Sequence, residues 1–290
     1  MFRRALPFYQ EKAMRTLILA DIHANLPALR AVLATPEAAA CQRVISLGDQ
    51  VNFGPEPGEV MRLLREKDAL MLLGNHEARL ARACAPEFAG YNWALQRWTH
   101  ARLEGISLDL PVDVREGRCL YTHGTPGDPF HLLEPAGLPG LLDSLPEGVT
   151  HLFSGHNHAP WLIRHGGRTA CNPGSLGLLE DGRGGTAPFA VMEEHAGSIT
   201  LTRHLAPYDT DETARAFLRT GCAQAAPEMS RIVLHTMRTG EYQAVLKLVR
   251  FVSSLGNMGD AAVWQEADRL WPWREGVSSA EFWHRMEASL

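Results

Sequence analysis

Five short segments stand in this order along the chain: Asp21-Ile22-His23, Gly48-Asp49, Gly74-Asn75-His76-Glu77, His123-Gly124 and Gly155-His156-Asn157-His158. They supply two carboxylates (Asp21, Asp49), one amide (Asn75) and four imidazoles (His23, His123, His156, His158), with His76 as a fifth imidazole beside them. Carboxylate, amide oxygen and imidazole without thiolate suit a borderline divalent metal such as manganese, iron or zinc. Seven such groups exceed what one four-coordinate zinc needs. Two ions sharing a bridging carboxylate would use them all. Two metals about 3.5–4 Å apart polarise a phosphoryl oxygen, lower the pKa of water and stabilise in-line displacement. The reading is therefore a two-metal hydrolytic site. Each segment alone is weak, because Asp-x-His arises by chance, Gly-Asp is a common turn, and a lone histidine is more often a surface or core residue. The ordered set carries the reading.

Such scattered residues need elements that bring them together. Leu17-Ile18-Leu19-Ala20 is a short apolar run ending at Asp21, read as a buried strand. Val44 to Leu47 is a second, ending at Gly48-Asp49, and Ala69 to Leu73 a third, ending at Gly74-Asn75. Leu26 to Leu33 and Val60 to Glu66 show helical spacing between them, which predicts parallel βαβ units. A helical stretch over about Glu77 to Leu103 is broken near Pro86 and Gly90. Cys119 to Thr122 leads into His123, and Leu152 to Ser154 into Gly155. In open α/β sheets, ligands collect outside the carboxyl ends of strands, where all these residues would lie. The adjoining glycines fit tight turns or close backbone approach.

Further on, Trp161 to Arg164, Thr169 to Cys171, Phe189 to Met192 and Ile199 to Arg203 read as an antiparallel continuation. From about Pro207 the pattern is helical to the end, with Asp209 to Asp211 as N-caps and Gly221, Gly240 and Gly256 as stops. Tyr242, Val245, Leu246, Val249 and Val252 form one apolar face, and Ser278 with Glu281 has capping-box spacing. The late tryptophans Trp264, Trp271, Trp273 and Trp283 read as helix packing rather than a nucleobase platform.

At 290 residues the chain can hold one large domain, or a domain with a smaller addition. It is 45% hydrophobic and 21% charged, ordinary for a globular protein. A net charge of -5 gives no strong nucleic-acid footprint and no attraction to anionic membrane. The five widely spaced cysteines, without a Cys-x-x-Cys pair, argue against a disulfide framework or structural zinc and for the cytoplasm. No apolar run approaches membrane-spanning length. Pro7, Tyr9, Gln10 and Glu11 spoil any signal-peptide core, so residues 1–13 read as an N-terminal extension, with Met14 an equally good start.

The segments, taken with their neighbours, resemble the calcineurin-like metallophosphoesterase superfamily, and within it the small bacterial and archaeal phosphodiesterase branch. The likeness is carried by Asp21-Ile22-His23-Ala24-Asn25, by Gly48 to Pro55, by Tyr121 to Pro126 and by Asn172-Pro173-Gly174-Ser175-Leu176-Gly177. It spans roughly residues 14–205, leaving 206–290 as a C-terminal helical extension. It implies an α/β fold: a four-layer αββα sandwich of two mixed sheets flanked by helices. It implies Asp21, His23, Asp49 and His158 around one divalent ion and Asp49, Asn75, His123 and His156 around another, Asp49 bridging. Mn²⁺ is favoured, with Fe or Zn²⁺ as alternatives. His76 would lie just outside the metals and assist the leaving oxygen or steady the pentacoordinate phosphorus, with Glu77 either orienting it or serving as a first-turn acid. Asn25 would contact substrate phosphate, or cap the helix starting near Leu26.

One departure bears on substrate. Protein serine/threonine phosphatases carry Asp-Arg before the last glycine of the second motif, where this chain has Asn52-Phe53. Without that arginine, a phosphodiester monoanion suits the pocket better than a monoester dianion. The expected function is a cytoplasmic phosphodiesterase acting on small phosphodiesters or nucleotides, 2′,3′-cyclic nucleotides among them, through attack by a hydroxide shared between the metals. Its alternatives are a phosphomonoesterase or protein phosphatase, a dinucleoside polyphosphate hydrolase, and a metal-binding scaffold acting through the C-terminal helices, which are also expected to pack on the sandwich and either mediate self-association or wall one side of the cleft. Among the remaining histidines, His131 alone lies near the expected site, just after Pro126 to Phe130.

Overall fold

The computed structural model describes residues 13–83 and 85–289; residues 1–12, where most of the expected extension falls, lie outside the described residues, as do Cys84 and Leu290. The strands are β1 (Met14–Leu19), β2 (Arg43–Ser46), β3 (Leu70–Met71), β4 (Asp113–Glu116), β5 (Cys119–Thr122), β6 (His151–Phe153), β7 (Trp161–His165), β8 (Arg168–Asn172), β9 (Thr186–His195) and β10 (Ser198–Pro207). They form two five-stranded sheets, β10-β9-β1-β2-β3 and β4-β5-β6-β8-β7. Each sheet is mixed. β1, β2 and β3 run parallel, as do β5, β6 and β8, and the outer pairings are antiparallel.

Strand alternation builds the layers. Successive side chains point to opposite faces, so Leu17 and Leu19 enter one core while Ile18 and Ala20 enter another. The second sheet divides likewise: Leu120, Leu152 and Ala170 face outward to a helix, while Tyr121, Phe153 and Cys171 meet Ile18, Ile45 and Leu47 between the sheets. Nearly every strand residue at the centre is therefore apolar, because both faces are buried.

Helices α1 (Leu26–Leu33), α2 (Pro36–Ala39) and α3 (Pro57–Glu66) follow the first two strands, and α4 (Asn75–Leu80) and α5 (Ala94–Ala101) follow the third. α6 (Leu138–Ser144) covers the second sheet with Leu138 and Leu142. The expected four-layer sandwich is present. The C-terminal helices are α7 (Thr210–Arg219), α8 (Cys222–Ala225), α9 (Pro227–Thr239), α10 (Gln243–Leu255), α11 (Ala261–Leu270) and α12 (Ser279–Ser289). Asp209 caps α7 by accepting from Asp211 N at 2.8 Å, and Gly240 ends α9 in the left-handed region at φ 73°. Trp264 and Trp283 are buried in the core these helices share with Phe53, Leu95 and Leu178.

Some expectations are corrected. The run Ala69 to Leu73 yields only a two-residue strand, because Leu73 N turns away to Pro111 O at 2.8 Å. The stretch from Glu77 to Leu103, by contrast, breaks where expected, into two short α-helices joined through 3₁₀ turns at Pro86–Phe88 and Tyr91–Trp93. The late strands pair antiparallel as expected, divided between the sheets, β7 with β8 in the second and β9 with β10 in the first. On α10 the buried residues are Val245, Leu248 and Val252, so Leu248 rather than Leu246 lies on the packed face.

Candidate metal centre

The site forms where two sheets release their strands at one edge. Asp21 and His23 leave β1, Asp49 follows β2, Asn75 opens α4 just after β3, His123 follows β5, and His156 and His158 follow β6. The loops are bonded to one another by backbone. Asp21 N donates to Gly48 O at 3.1 Å and His23 N to Asp49 O at 2.9 Å, extending the β1–β2 ladder past the strand ends. Gly155 N donates to His123 O at 2.9 Å in the second sheet. Left-handed backbone concentrates here: Asp21, His23, Ala24, Asp49, Asn52, Phe53 and His156 all have φ between 49° and 71°. Such conformations cost roughly 1–3 kcal/mol each and persist where surrounding contacts impose them. Close approach excludes a side chain at Gly48 (φ 98°) and at Gly74, since a Cβ would lie 2.5 Å from His123 Nδ1 and 2.2 Å from Asp49 Oδ1, respectively.

Three side chains fasten these loops. Glu77, fully buried, accepts from Asp49 N at 2.9 Å, Val51 N at 3.1 Å and Gly74 N at 2.9 Å. It therefore joins the second and third segments. Asn172 donates to Gly155 O at 3.0 Å and Asn157 O at 2.7 Å, while the Ser175 hydroxyl donates to Asp21 O at 2.9 Å. The Asn-Pro-Gly-Ser turn thus ties the His156–His158 loop to the first segment. Glu77→Ala leaves three buried N–H groups without acceptors. It is expected to lower the unfolding free energy by about 3 kcal/mol or more. Urea denaturation checks this, and a loss under about 1 kcal/mol would mean that water replaces the carboxylate.

The ligand-type atoms converge. Those of Asp21, His23 and His158 lie within 4.8 Å of one another, as do those of Asp49, His123 and His156, and those of His23, Asp49 and His76. His23 Nε2 is 3.2 Å from His158 Nε2, and His123 Nε2 is 3.3 Å from Asp49 Oδ2. Three imidazoles donate their outward ring N–H to backbone carbonyls: His123 Nδ1 to Leu47 O (2.8 Å), His158 Nδ1 to Leu178 O (2.8 Å) and His156 Nε2 to Phe130 O (3.2 Å). Each therefore turns a lone pair inward, the arrangement that orients metal-binding histidines. The Asn75 side-chain oxygen completes the set, 3.0 Å from His123 Nε2, His156 Nδ1 and Asp49 Oδ2 alike. Once His123 gives up the proton on Nε2, these four atoms offer four lone pairs, a set that fits a cation. An amide turned end for end would instead donate there and accept from Arg79 Nη1 at 2.6 Å.

Electrostatics agree with that fit. Burial, the largest influence, pushes Asp21 up to about 8 and Glu77 up to about 7. Burial also lowers His158 to about 3, His76 and His156 to about 4, and His23 well below its ordinary value. Burial opposes ionisation of Asp49 and of His123, yet their mutual attraction prevails: Asp49 stays well below the carboxylate range and His123 rises to about 9. Neutral imidazoles keep their lone pairs, and carboxylates crowded in a buried site are relieved by positive charge.

His76 differs from the other imidazoles. Asn52 Nδ2 donates to His76 Nδ1 at 2.6 Å, an orientation supported by the Thr99 hydroxyl, 3.5 Å from Asn52 Oδ1. The His76 proton is therefore on Nε2, 3.9 Å from Asp49 Oδ2. Phe53 packs against both His23 and His76, its ring centroid 5.1 Å from that of His23 and 4.8 Å from that of His76. Asn25 is fully buried at the N-cap of α1, accepting from Ala28 N at 3.2 Å and donating to Tyr208 Oη at 3.2 Å. His131 is exposed and stands outside the cluster. Tyr242, at the start of α10, packs against His158 with ring centroids 3.8 Å apart and planes tilted by 35°. The C-terminal extension thus walls the site, a contact that nothing near Tyr242 in the sequence signals.

Comparison with known proteins follows the same outline. Residues 14–196 match the family model of the calcineurin-like phosphoesterase superfamily domain. An uncharacterized protein of Methanocaldococcus jannaschii is 27% identical over 64% of this chain and 85% of its own length. Phosphodiesterase YfcE of Escherichia coli is 26% identical over 64% of this chain and 91% of its own. Among solved structures, a metallophosphoesterase from Sphaerobacter thermophilus is similar with a TM-score of 0.66 and 29% identity, covering 78% of this chain and 100% of that one.

Proposed function

The chain belongs to the calcineurin-like phosphoesterase superfamily and is a metal-dependent phosphoesterase; from that premise we propose that it hydrolyses phosphodiesters with two divalent cations, Mn²⁺ favoured over Fe or Zn²⁺. Asp21, His23, Asp49 and His158 would hold one ion, and Asp49, Asn75, His123 and His156 the other. The observation that carries this reading is the inward convergence of lone pairs on either side of Asp49. When bound, two such ions supply an activated water and neutralise charge developing at phosphorus. The chain supplies the rest. His76, with its tautomer set by Asn52, directs an N–H at the leaving oxygen. Phe53 and the loops bury His76 and exclude water around it. We assign Asn25 to the α1 cap rather than to phosphate, since both ends of its amide have protein partners.

Diesters are preferred in this reading because Phe53 fills the position of the arginine that a protein phosphatase turns on a dianion. The name of the Escherichia coli relative agrees. Small cyclic nucleotides, including 2′,3′-cyclic ones, are the natural substrates we favour, ahead of dinucleoside polyphosphates and monoesters. We place residues 14–205 as the catalytic domain and 206–290 as its wall and a candidate surface for self-association. A cytoplasmic setting fits the cysteine usage. Among the described residues, no helix is long and apolar enough to cross a membrane.

Chelator-stripped protein is expected to be inactive and to recover with Mn²⁺. The recovered enzyme should cleave bis(p-nitrophenyl) phosphate with kcat/KM at least about tenfold above that for p-nitrophenyl phosphate. The reverse ratio would favour the monoesterase. Ligation must displace the protons that Asp21 and His123 retain near neutrality, with pKa values of about 8 and about 9. Mn²⁺ affinity should therefore tighten as pH rises from about 6 to about 8. Flat affinity across that range would place the metal elsewhere.

A further inference from the structure

The missing arginine of the second motif leaves open what grips the phosphoryl oxygens. We propose that Arg79 does, reaching the site from one turn further along α4. Asn75 and Arg79 are four residues apart on that helix, so their side chains lie on one face. Arg79 Nη1 is 2.6 Å from the outer amide atom of Asn75, one amide group away from the cluster around Asp49, His123 and His156. Phe130, 48% exposed, lies beneath the guanidinium, whose carbon is 5.3 Å from the ring centroid. The Phe130 carbonyl also holds His156, so the platform under Arg79 is fixed to the site.

Two facts make this guanidinium available. Among the described residues, no carboxylate pairs with Arg79, although it is half-buried. And the Asn75 amide cannot serve two masters. With its oxygen turned inward to the ligand cluster, its amino group meets Arg79 donor to donor. The guanidinium then needs another acceptor, and a phosphoryl group over the cluster presents two oxygens matched to its fork.

This inference rests on the phosphoesterase reading of the site. Its test compares Arg79→Met and Arg79→Lys with the wild type, all reconstituted with Mn²⁺. Metal content should be unchanged in both variants. Binding of inorganic phosphate, read by calorimetry, should weaken about 10- to 100-fold in Arg79→Met, with Arg79→Lys between. KM for bis(p-nitrophenyl) phosphate should rise by a similar factor. Unaltered phosphate affinity, or loss of Mn²⁺ from Arg79→Met, would overturn the proposal, the second by assigning Arg79 to support of Asn75. Arg79-dependent phosphate binding in a protein that cleaves neither test ester would uphold the proposal while refuting the diesterase reading.

Discussion

Asp49→Asn is expected to reduce phosphodiester hydrolysis by at least about a thousandfold, or about 4 kcal/mol in the barrier, while the protein stays folded. Asp49 stands in two of the three ligand-type clusters, and its Oδ2 is 3.3 Å from His123 Nε2, 3.9 Å from His23 Nε2 and 3.9 Å from His76 Nε2. It is the one carboxylate that can join the two halves of the site. Asparagine keeps the shape and an oxygen for the 2.9 Å bond that Oδ1 accepts from His76 N, so the start of α4 should hold. It removes the charge that keeps His123 protonated in the metal-free protein and that would bridge two cations. Metal analysis should show loss of bound Mn²⁺, and far-ultraviolet circular dichroism should be unchanged. Activity within tenfold of wild type would refute the bridging role, because the shared ligand would be dispensable.

The second large effect is expected at His76. His76→Gln should lower kcat by about 10²- to 10³-fold, the range for removing a positioned donor from a reacting oxygen. Mn²⁺ content should not change, since the Nε2 of His76 carries a proton and offers no lone pair. A series of aryl diesters with increasingly basic leaving groups distinguishes its role. A donor at the leaving oxygen matters more as that oxygen becomes more basic, so the loss should grow along the series. An equal loss throughout would move His76 to the non-bridging oxygens. Metal loss in His76→Gln would count it among the ligands and refute the tautomer that Asn52 imposes.

Much of the site was legible because each piece is local. A buried strand must be apolar, and a polar residue directly after it marks where the chain leaves the sheet; Asp21, Asp49, His123 and His156 each stand at such a break. The C-terminal helices were legible from Asp209, Gly221 and Gly240, which act at their own positions. β4 was not foreseen, because it lies at a sheet edge and is only partly buried, without apolar alternation. α6 was obscured by Pro139 and Gly140, although Leu138 and Leu142 have helical spacing. Glu77 was read as a partner of His76 or a simple first-turn acid, and it is instead the acceptor for three loop N–H groups.

The sequence by itself determined the kinds of ligand, their order and their place at strand ends, since residue type and strand pattern are properties of short segments. Tertiary structure alone decided which nitrogen of each imidazole faces inward, because the carbonyls of Leu47, Leu178 and Phe130 that set it come from 20 to 76 residues away. It also decided that Tyr242, from the C-terminal helices, packs against His158 at the wall of the site. Hydrogen-bond direction and side-chain approach depend on pairs of residues brought together by packing, and no single segment carries that information.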